Sequence, residues 1–166
     1  FDFFHVVQAF GRVIDKVRRK EYLQATEQEK KVLKGSRYLL LKNEENLTDD
    51  QQNRLDQVLA LNETLSILYV LRAQLKMIFY YGDRGKVKKA LDDWCRMAET
   101  INEPSAQAFI RRLRFFEYGI LNHADYPIST SRLEGANNKI KVIKRKAYGF
   151  HDSEYFAFKV KQAFAA

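Results

Sequence analysis

The chain has 166 residues, of which 46% are hydrophobic and 13% aromatic, and its formal net charge is +8. A chain of this length buries roughly 70% of its unfolded surface, so this composition excludes a disordered segment, and no apolar run approaches the roughly 20 residues of a membrane span, so no membrane partner is expected. The single cysteine, Cys95, excludes an internal disulfide and matches no metal-ligand spacing, which points to a reducing compartment such as the cytoplasm.

The chain opens at Phe1-Asp2-Phe3-Phe4 with neither an initiator methionine nor a signal segment, an opening expected of a piece of a longer protein. Phe3, Val6, Val7, Phe10, Val13, Ile14 and Val17 recur at spacings of three and four. That period predicts an amphipathic helix to about Leu23, with Arg12, Asp15, Lys16 and Arg19 on its outer face. Thr26 with Glu29 reads as a capping box for a short second helix, and Gly35-Ser36 breaks the chain before Arg37-Tyr38-Leu39-Leu40-Leu41, a run compatible with helix or strand. Thr48 with Gln51 is a second capping box, opening a helix through Leu55, Val58 and Leu59. Leu65, Leu68, Tyr69, Leu75, Ile78 and Phe79 carry the helical period on to a stop at Gly82-Asp83-Arg84-Gly85.

Val87, Ala90, Leu91, Trp94, Ala98 and Ile101 form the next stripe, ended at Asn102-Glu103-Pro104 because proline cannot continue the hydrogen-bond ladder. Ala106, Phe109, Ile110, Leu113, Phe116 and Ile120 predict one further helix, with Arg111, Arg112 and Arg114 outside, before a loop at His123–Pro127. Leu133, Ala136, Ile140, Ile143 and Ala147 mark the penultimate helix, closed by Gly149, the residue best able to take a left-handed cap. Asp152 or Ser153 can cap a last segment in which Phe156, Phe158 and Val160 alternate, so that 154–161 reads as either strand or helix. The fold class expected is mainly α.

Charge placement is more informative than its total. From Arg132 to Lys146 there are six basic residues and one acidic residue, and a stripe of this density suits a polyanion, since neutralising phosphates releases condensed counterions. Glu134, Asn138, Lys141 and Arg145 fall at i, i+4, i+7 and i+11, on roughly one side of the helix. A carboxylate heading a basic ladder suits a nuclease-type site, in which the acid holds a divalent cation and the bases hold the nucleic-acid backbone. A solvated helix face reads the same way, and Glu134 is equally explained as the partner of Ser131 in a capping box. Asp2, ahead of the first helix and near His5, is by itself as good an N-cap as a ligand.

Three blocks go further. Asp2-Phe3-Phe4-His5-Val6-Val7 followed by Asp15-Lys16-Val17-Arg18-Arg19 resembles the segment around the second catalytic aspartate of the ISL-three-type insertion-sequence transposases, enzymes of the DDE class. Lys34-Gly35-Ser36-Arg37-Tyr38-Leu39-Leu40-Leu41-Lys42-Asn43 with Asn46-Leu47-Thr48 is similar to that family's next block. Glu134-Gly135-Ala136-Asn137-Asn138-Lys139-Ile140-Lys141, continuing through Lys144-Arg145-Lys146-Ala147-Tyr148-Gly149-Phe150, is similar to the block around its catalytic glutamate. The resemblance spans nearly the whole chain. It implies an RNase H-like catalytic domain with a helical insertion, the first aspartate and most of the β-sheet lying upstream of Phe1. The chain then divides into 1–24 with the second aspartate and its helix, 25–127 as the insertion, and 128–166 with the glutamate helix.

The resemblance further implies that Asp2 and Glu134 are catalytic residues and ligands of a two-metal magnesium site, for which manganese can substitute. Arg132, Asn138, Lys141, Lys144 and Arg145 would contact DNA, and His5 and Asn137 would have supporting roles. The expected partners are transposon ends and target DNA, with a homo-oligomer assembled on DNA in the bacterial cytoplasm, and the expected activity of the full-length protein is phosphodiester nicking and strand transfer. This piece alone is expected to be inactive. The competing class is a non-enzymatic helical DNA-binding or dimerisation module, in which Asp2 and Glu134 are caps and Trp94 and Phe115-Phe116 are interface anchors rather than core.

Overall fold

In a computed structural model of the chain, the described residues are 3–126, 131–147, 149 and 151–164, with Phe3 and 131–134 described by their backbone alone. All regular structure among them is helical. They divide into two compact units, 1–127 and 128–166.

The first unit is built on α1 (Phe3–Gln24), whose apolar stripe buries Phe10, Ile14 and Val17 completely or nearly so. Thr26 caps α2 (Glu27–Leu33) as its spacing predicts: its hydroxyl accepts from the Glu29 amide at 3.4 Å, and the Glu29 carboxylate accepts from the Thr26 amide at 2.7 Å. Gly35 then takes φ +75°, a left-handed conformation that suits glycine, and turns the chain into α3 (Arg37–Leu41). The run 37–41 is thus helix, and it buries Leu39 and Leu40. A 3-10 turn at Glu44–Asn46 leads to α4 (Asp49–Leu61), opened by the second capping box at Thr48 and Gln51.

Two helices expected to run on are broken. Asn62 leaves the helical region at φ −139°, ψ 108° and caps α5 (Glu63–Ile78), its Oδ1 accepting from the Leu65 amide at 2.8 Å. Its amide nitrogen donates to Glu21 of α1 at 2.7 Å, so the break is held by a residue 41 positions away. After α6 (Arg84–Glu99), capped by Asp83, Pro104 is the first residue of α7 (Pro104–Phe115), a position where proline's missing N–H costs nothing. Phe116 then interrupts the expected single helix, and α8 (Glu117–Asp125) packs against α6 with Gly119, Ile120 and Leu121 buried. Phe116 is therefore only half-buried, and Phe115 is exposed.

The core runs along α1, α5 and α6, with α7 closing it on one side and α2, α3 and α4 on another. Its centre is aromatic: Trp94 meets Phe10 edge-on at 5.3 Å and Phe109 at 6.1 Å. Trp94 is core, as the apolar stripe of α6 predicts.

The second unit pairs α9 (Ser131–Lys146) with α10 (Ser153–Phe164). Residues 153–164 are helix, which decides between the two readings of 154–161; Asp152 caps it, accepting from the amides of Glu154 at 2.8 Å and Tyr155 at 3.0 Å. A residue whose side chain caps two free amides commits the next turn to helix, which outweighs a short alternating pattern. Ala136, Ile140 and Ile143 on α9 and Phe156, Val160 and Ala163 on α10 are half-buried, and Lys139 holds α10 by donating to the Ala163 carbonyl beneath a cation-π contact with Phe164 at 4.7 Å.

Candidate functional site

The basic ladder lies on α9. Asn138, Lys141, Lys144 and Arg145 line one shallow concavity of about 740 Å³ together with Gly149, so the spacing that suggested a common side brings Asn138, Lys141 and Arg145 together and Lys144, which that spacing does not include, joins them. Gly149 takes φ +102° and its N–H bonds the Lys144 carbonyl at 3.0 Å, which closes the end of the concavity with backbone rather than a side chain. Asn138, Lys141, Lys144 and Arg145 are all exposed, and no ion pair engages the three cations among the described residues. Lys144, Arg145 and Lys146 lie in the last turn of α9, where the helix dipole favours positive charge, which accounts for how so much charge collects there without carboxylate partners. Asn137 is exposed beside them.

Glu134 lies in the first turn of α9; its side chain and that of Arg132 fall outside the described residues, as does Asp2 altogether. His5 is on the exposed side of α1, edge-on to the Phe4 ring at 5.8 Å. Among the described residues no group of three or more His, Cys, Asp or Glu side chains is placed to hold a metal ion.

A larger concavity, about 1000 Å³, opens in the first unit between α1, α3 and α5. Six cations line it, Arg12, Lys16, Arg19, Arg37, Arg72 and Lys76, with Asp15 as their one carboxylate. The helical period sets Asp15 on the outer face of α1, yet it is 4% exposed. Arg18 and Arg19 cover it, donating to its two oxygens at 2.8 and 2.5 Å, and Arg37 from α3 stands at 3.6 Å. Burial is the largest single influence and pushes the carboxyl upward, but the hydrogen bonds from Arg19 and Arg18 and their charges together outweigh it, so Asp15 is held below the ordinary 3.8. Nothing local marks this groove, because its cations come from three helices; only Arg12, Lys16 and Arg19, at i, i+4 and i+7, share a visible period.

The sequence profile of a family described as Transposase matches residues 1–160, across both units. The chain belongs to the ISL-three-type family of insertion-sequence transposases. It is 41% identical over 167 aligned positions to the transposase for insertion sequence element IS1001 of Bordetella parapertussis, an alignment covering 99% of this chain and 41% of that protein. It is 32% identical over 123 positions to the transposase for insertion sequence element IS1557 of Mycobacterium tuberculosis, covering 74% of this chain and 27% of that one. This transposase-family chain thus spans about two-fifths of the length of the first relative and less of the second. No solved structure matches it. Among its described residues no helix is long and apolar enough to cross a membrane.

Proposed function

We propose that the chain is the catalytic-end part of a DDE transposase that, in the full-length protein, nicks and transfers DNA strands at the ends of an insertion sequence. The observation that carries this reading is the alignment with the IS1001 transposase over 99% of the chain, which takes in both the Asp2 block and the Glu134 block. In this reading residues 25–127 are the helical insertion of an RNase H-like domain.

Asp2 and Glu134 would hold divalent cations, magnesium or manganese, together with a first aspartate from elsewhere in the protein. Bound in pairs to carboxylate oxygens, such hard cations activate an attacking oxygen and stabilise a leaving one. The rest falls to the chain's own residues. Lys141, Lys144 and Arg145, collected in the α9 concavity, would bind backbone phosphates and set the register of the strand, and Arg132 and Asn138 would extend that contact. Asn137 would orient Glu134, and His5 would support the Asp2 end. DNA ends and target DNA are the partners, on which the protein would assemble as a homo-oligomer in the bacterial cytoplasm.

The test is Glu134→Gln in the full-length protein, which removes the carboxylate charge and preserves size. Strand transfer should be lost while DNA binding in EDTA is retained; magnesium-dependent transfer at the unaltered rate rejects the assignment. The chain of 166 residues alone, lacking the first carboxylate, should not nick DNA.

A further inference from the structure

We infer that the groove between α1, α3 and α5 binds a single DNA strand, with its cations on the phosphates and Phe4 and Tyr80 as stacking surfaces for the bases. The inference rests on the preceding reading only for its choice of DNA as the polyanion; it needs neither carboxylate of the metal site.

The charge of the groove is not balanced within the fold. Arg19 and Arg37 share Asp15 with Arg18, so one buried carboxylate serves three guanidinium groups. Arg72 donates to the Leu41 carbonyl at 2.6 Å, and its Nε is buried with no hydrogen-bond partner among the described residues. Lys76 donates to the Asn43 side chain, and among the described residues it is paired with no carboxylate. Burial lowers the pKa of Arg72, and burial together with the neighbouring Arg72 charge lowers that of Lys76 against a smaller upward pull from the Glu45 carboxylate. Two partly desolvated cations side by side repel each other, and an anion in the groove relieves both. Arg12 and Lys16, one turn apart on α1, are exposed on the same wall, and among the described residues neither is in an ion pair. Four cations are therefore positioned by the fold, while Lys16 and Arg12, the latter held only by a long 3.5 Å hydrogen bond to the exposed Gln8 side chain, can follow a ligand.

The floor distinguishes a single strand from a duplex. Val7, Gly11 and Leu41 line it, and the contact at Gly11 is close: a Cβ there would stand 3.1 Å from the Leu41 side chain, which would have to give by a few tenths of an ångström. Phe4, 57% exposed, and Tyr80, 75% exposed, add aromatic surface. A duplex offers the protein its phosphates on the outside and leaves an apolar floor and aromatic rings idle. An unpaired strand uses all three features, because each base has a face to stack and each linkage a charge to neutralise.

The experiment uses the full protein in EDTA, measuring by fluorescence anisotropy the affinity for a labelled thymidine oligonucleotide of about 12 residues and for a mixed-sequence duplex of the same length, across a salt titration. Arg12→Glu with Lys16→Glu alters two exposed side chains outside the core. The single-strand Kd should rise about tenfold, and its salt slope should fall by roughly 1.4, or about 0.7 for each phosphate that is no longer neutralised. Duplex affinity should change by less than about twofold. An unchanged single-strand Kd, or an equal loss for both forms, overturns the inference. As a second measurement, independent of how the variant folds, a strand carrying 4-thiothymidine is irradiated on the unaltered protein. Attachment within the peptides holding Phe4 or Tyr80 supports the groove, and attachment only elsewhere overturns it. Glu134→Gln should leave both measurements unchanged, so failure here and failure of the catalytic reading are separate results.

Discussion

Lys20 and Glu103, 83 positions apart, join α1 to the start of α7: the lysine Nζ lies 2.9 Å from one carboxylate oxygen of Glu103. The other oxygen caps α7, accepting from the Ser105 hydroxyl at 2.8 Å and from its amide at 3.3 Å. One buried acid thus serves as helix cap and as interhelical tie.

Glu103→Ala should destabilise the chain by about 1–2 kcal/mol, the loss typical of a helix cap, in urea melts followed by the fluorescence of Trp94. The same residue predicts an acid limit. Burial acts most strongly on Glu103 and raises its pKa, but Lys20 and then Ser105 outweigh it through hydrogen bonds, leaving it below the ordinary 4.5. Asp15 is likewise below its ordinary 3.8. A carboxyl depressed in the folded state contributes stability that is fully present above its unfolded pKa and lost as pH falls through the folded one. Stability should therefore be level above about pH 5 and fall steadily below about pH 4, and Glu103→Gln should make that fall shallower.

Trp94 Nε1 donates to the Leu71 carbonyl at 2.8 Å inside the aromatic cluster, tying α6 to α5. Trp94→Phe keeps a ring but loses the donor and some volume, and should cost about 1–3 kcal/mol; Trp94→Ala should cost about 3–5 kcal/mol. Because the chain has a single tryptophan, these melts are read by far-UV circular dichroism.

Cys95 is fully buried, and burial pushes its thiol up from 9.0 to about 11. About a hundredfold less thiolate forms than at an ordinary cysteine, and the reagent must also reach it. Labelling by Ellman's reagent at mildly alkaline pH should proceed only at the rate of unfolding. Fast labelling of the native chain would show that α6 opens locally.

Lys144→Ala and Arg145→Ala, tested on the full protein, should weaken duplex DNA binding by similar factors for all sequences, and each substitution should lower the salt slope by about 0.9, the share of one neutralised phosphate. An unchanged slope would place these side chains away from phosphate.

The elements were largely legible in the sequence, for a reason seen in Thr26, Thr48 and Asp152. A cap acts within three residues, so the amides that it satisfies lie in the same short stretch of chain as the cap itself. Asn138, Lys141 and Arg145 of the α9 ladder were legible on the same terms, since they share one helix and a helical period is enough to place them together. The breaks at Asn62 and Phe116 were not. The apolar period continues across both, and what decides them is distant: Glu21 holds Asn62, and the surface of α6 receives Ile120 and Leu121.

By itself the sequence determined the helical class, the caps at Thr26 and Thr48, the apolar stripe that carries Trp94 and the three blocks that identify the family, all properties carried by neighbours along the chain. Only the tertiary structure decided that Asp15 is buried under arginines, that Phe115 is left outside, and that cations from α1, α3 and α5 meet in one groove. Such outcomes depend on which helix faces pack together. That choice minimises exposed apolar surface over the whole unit at once, and no local window records it.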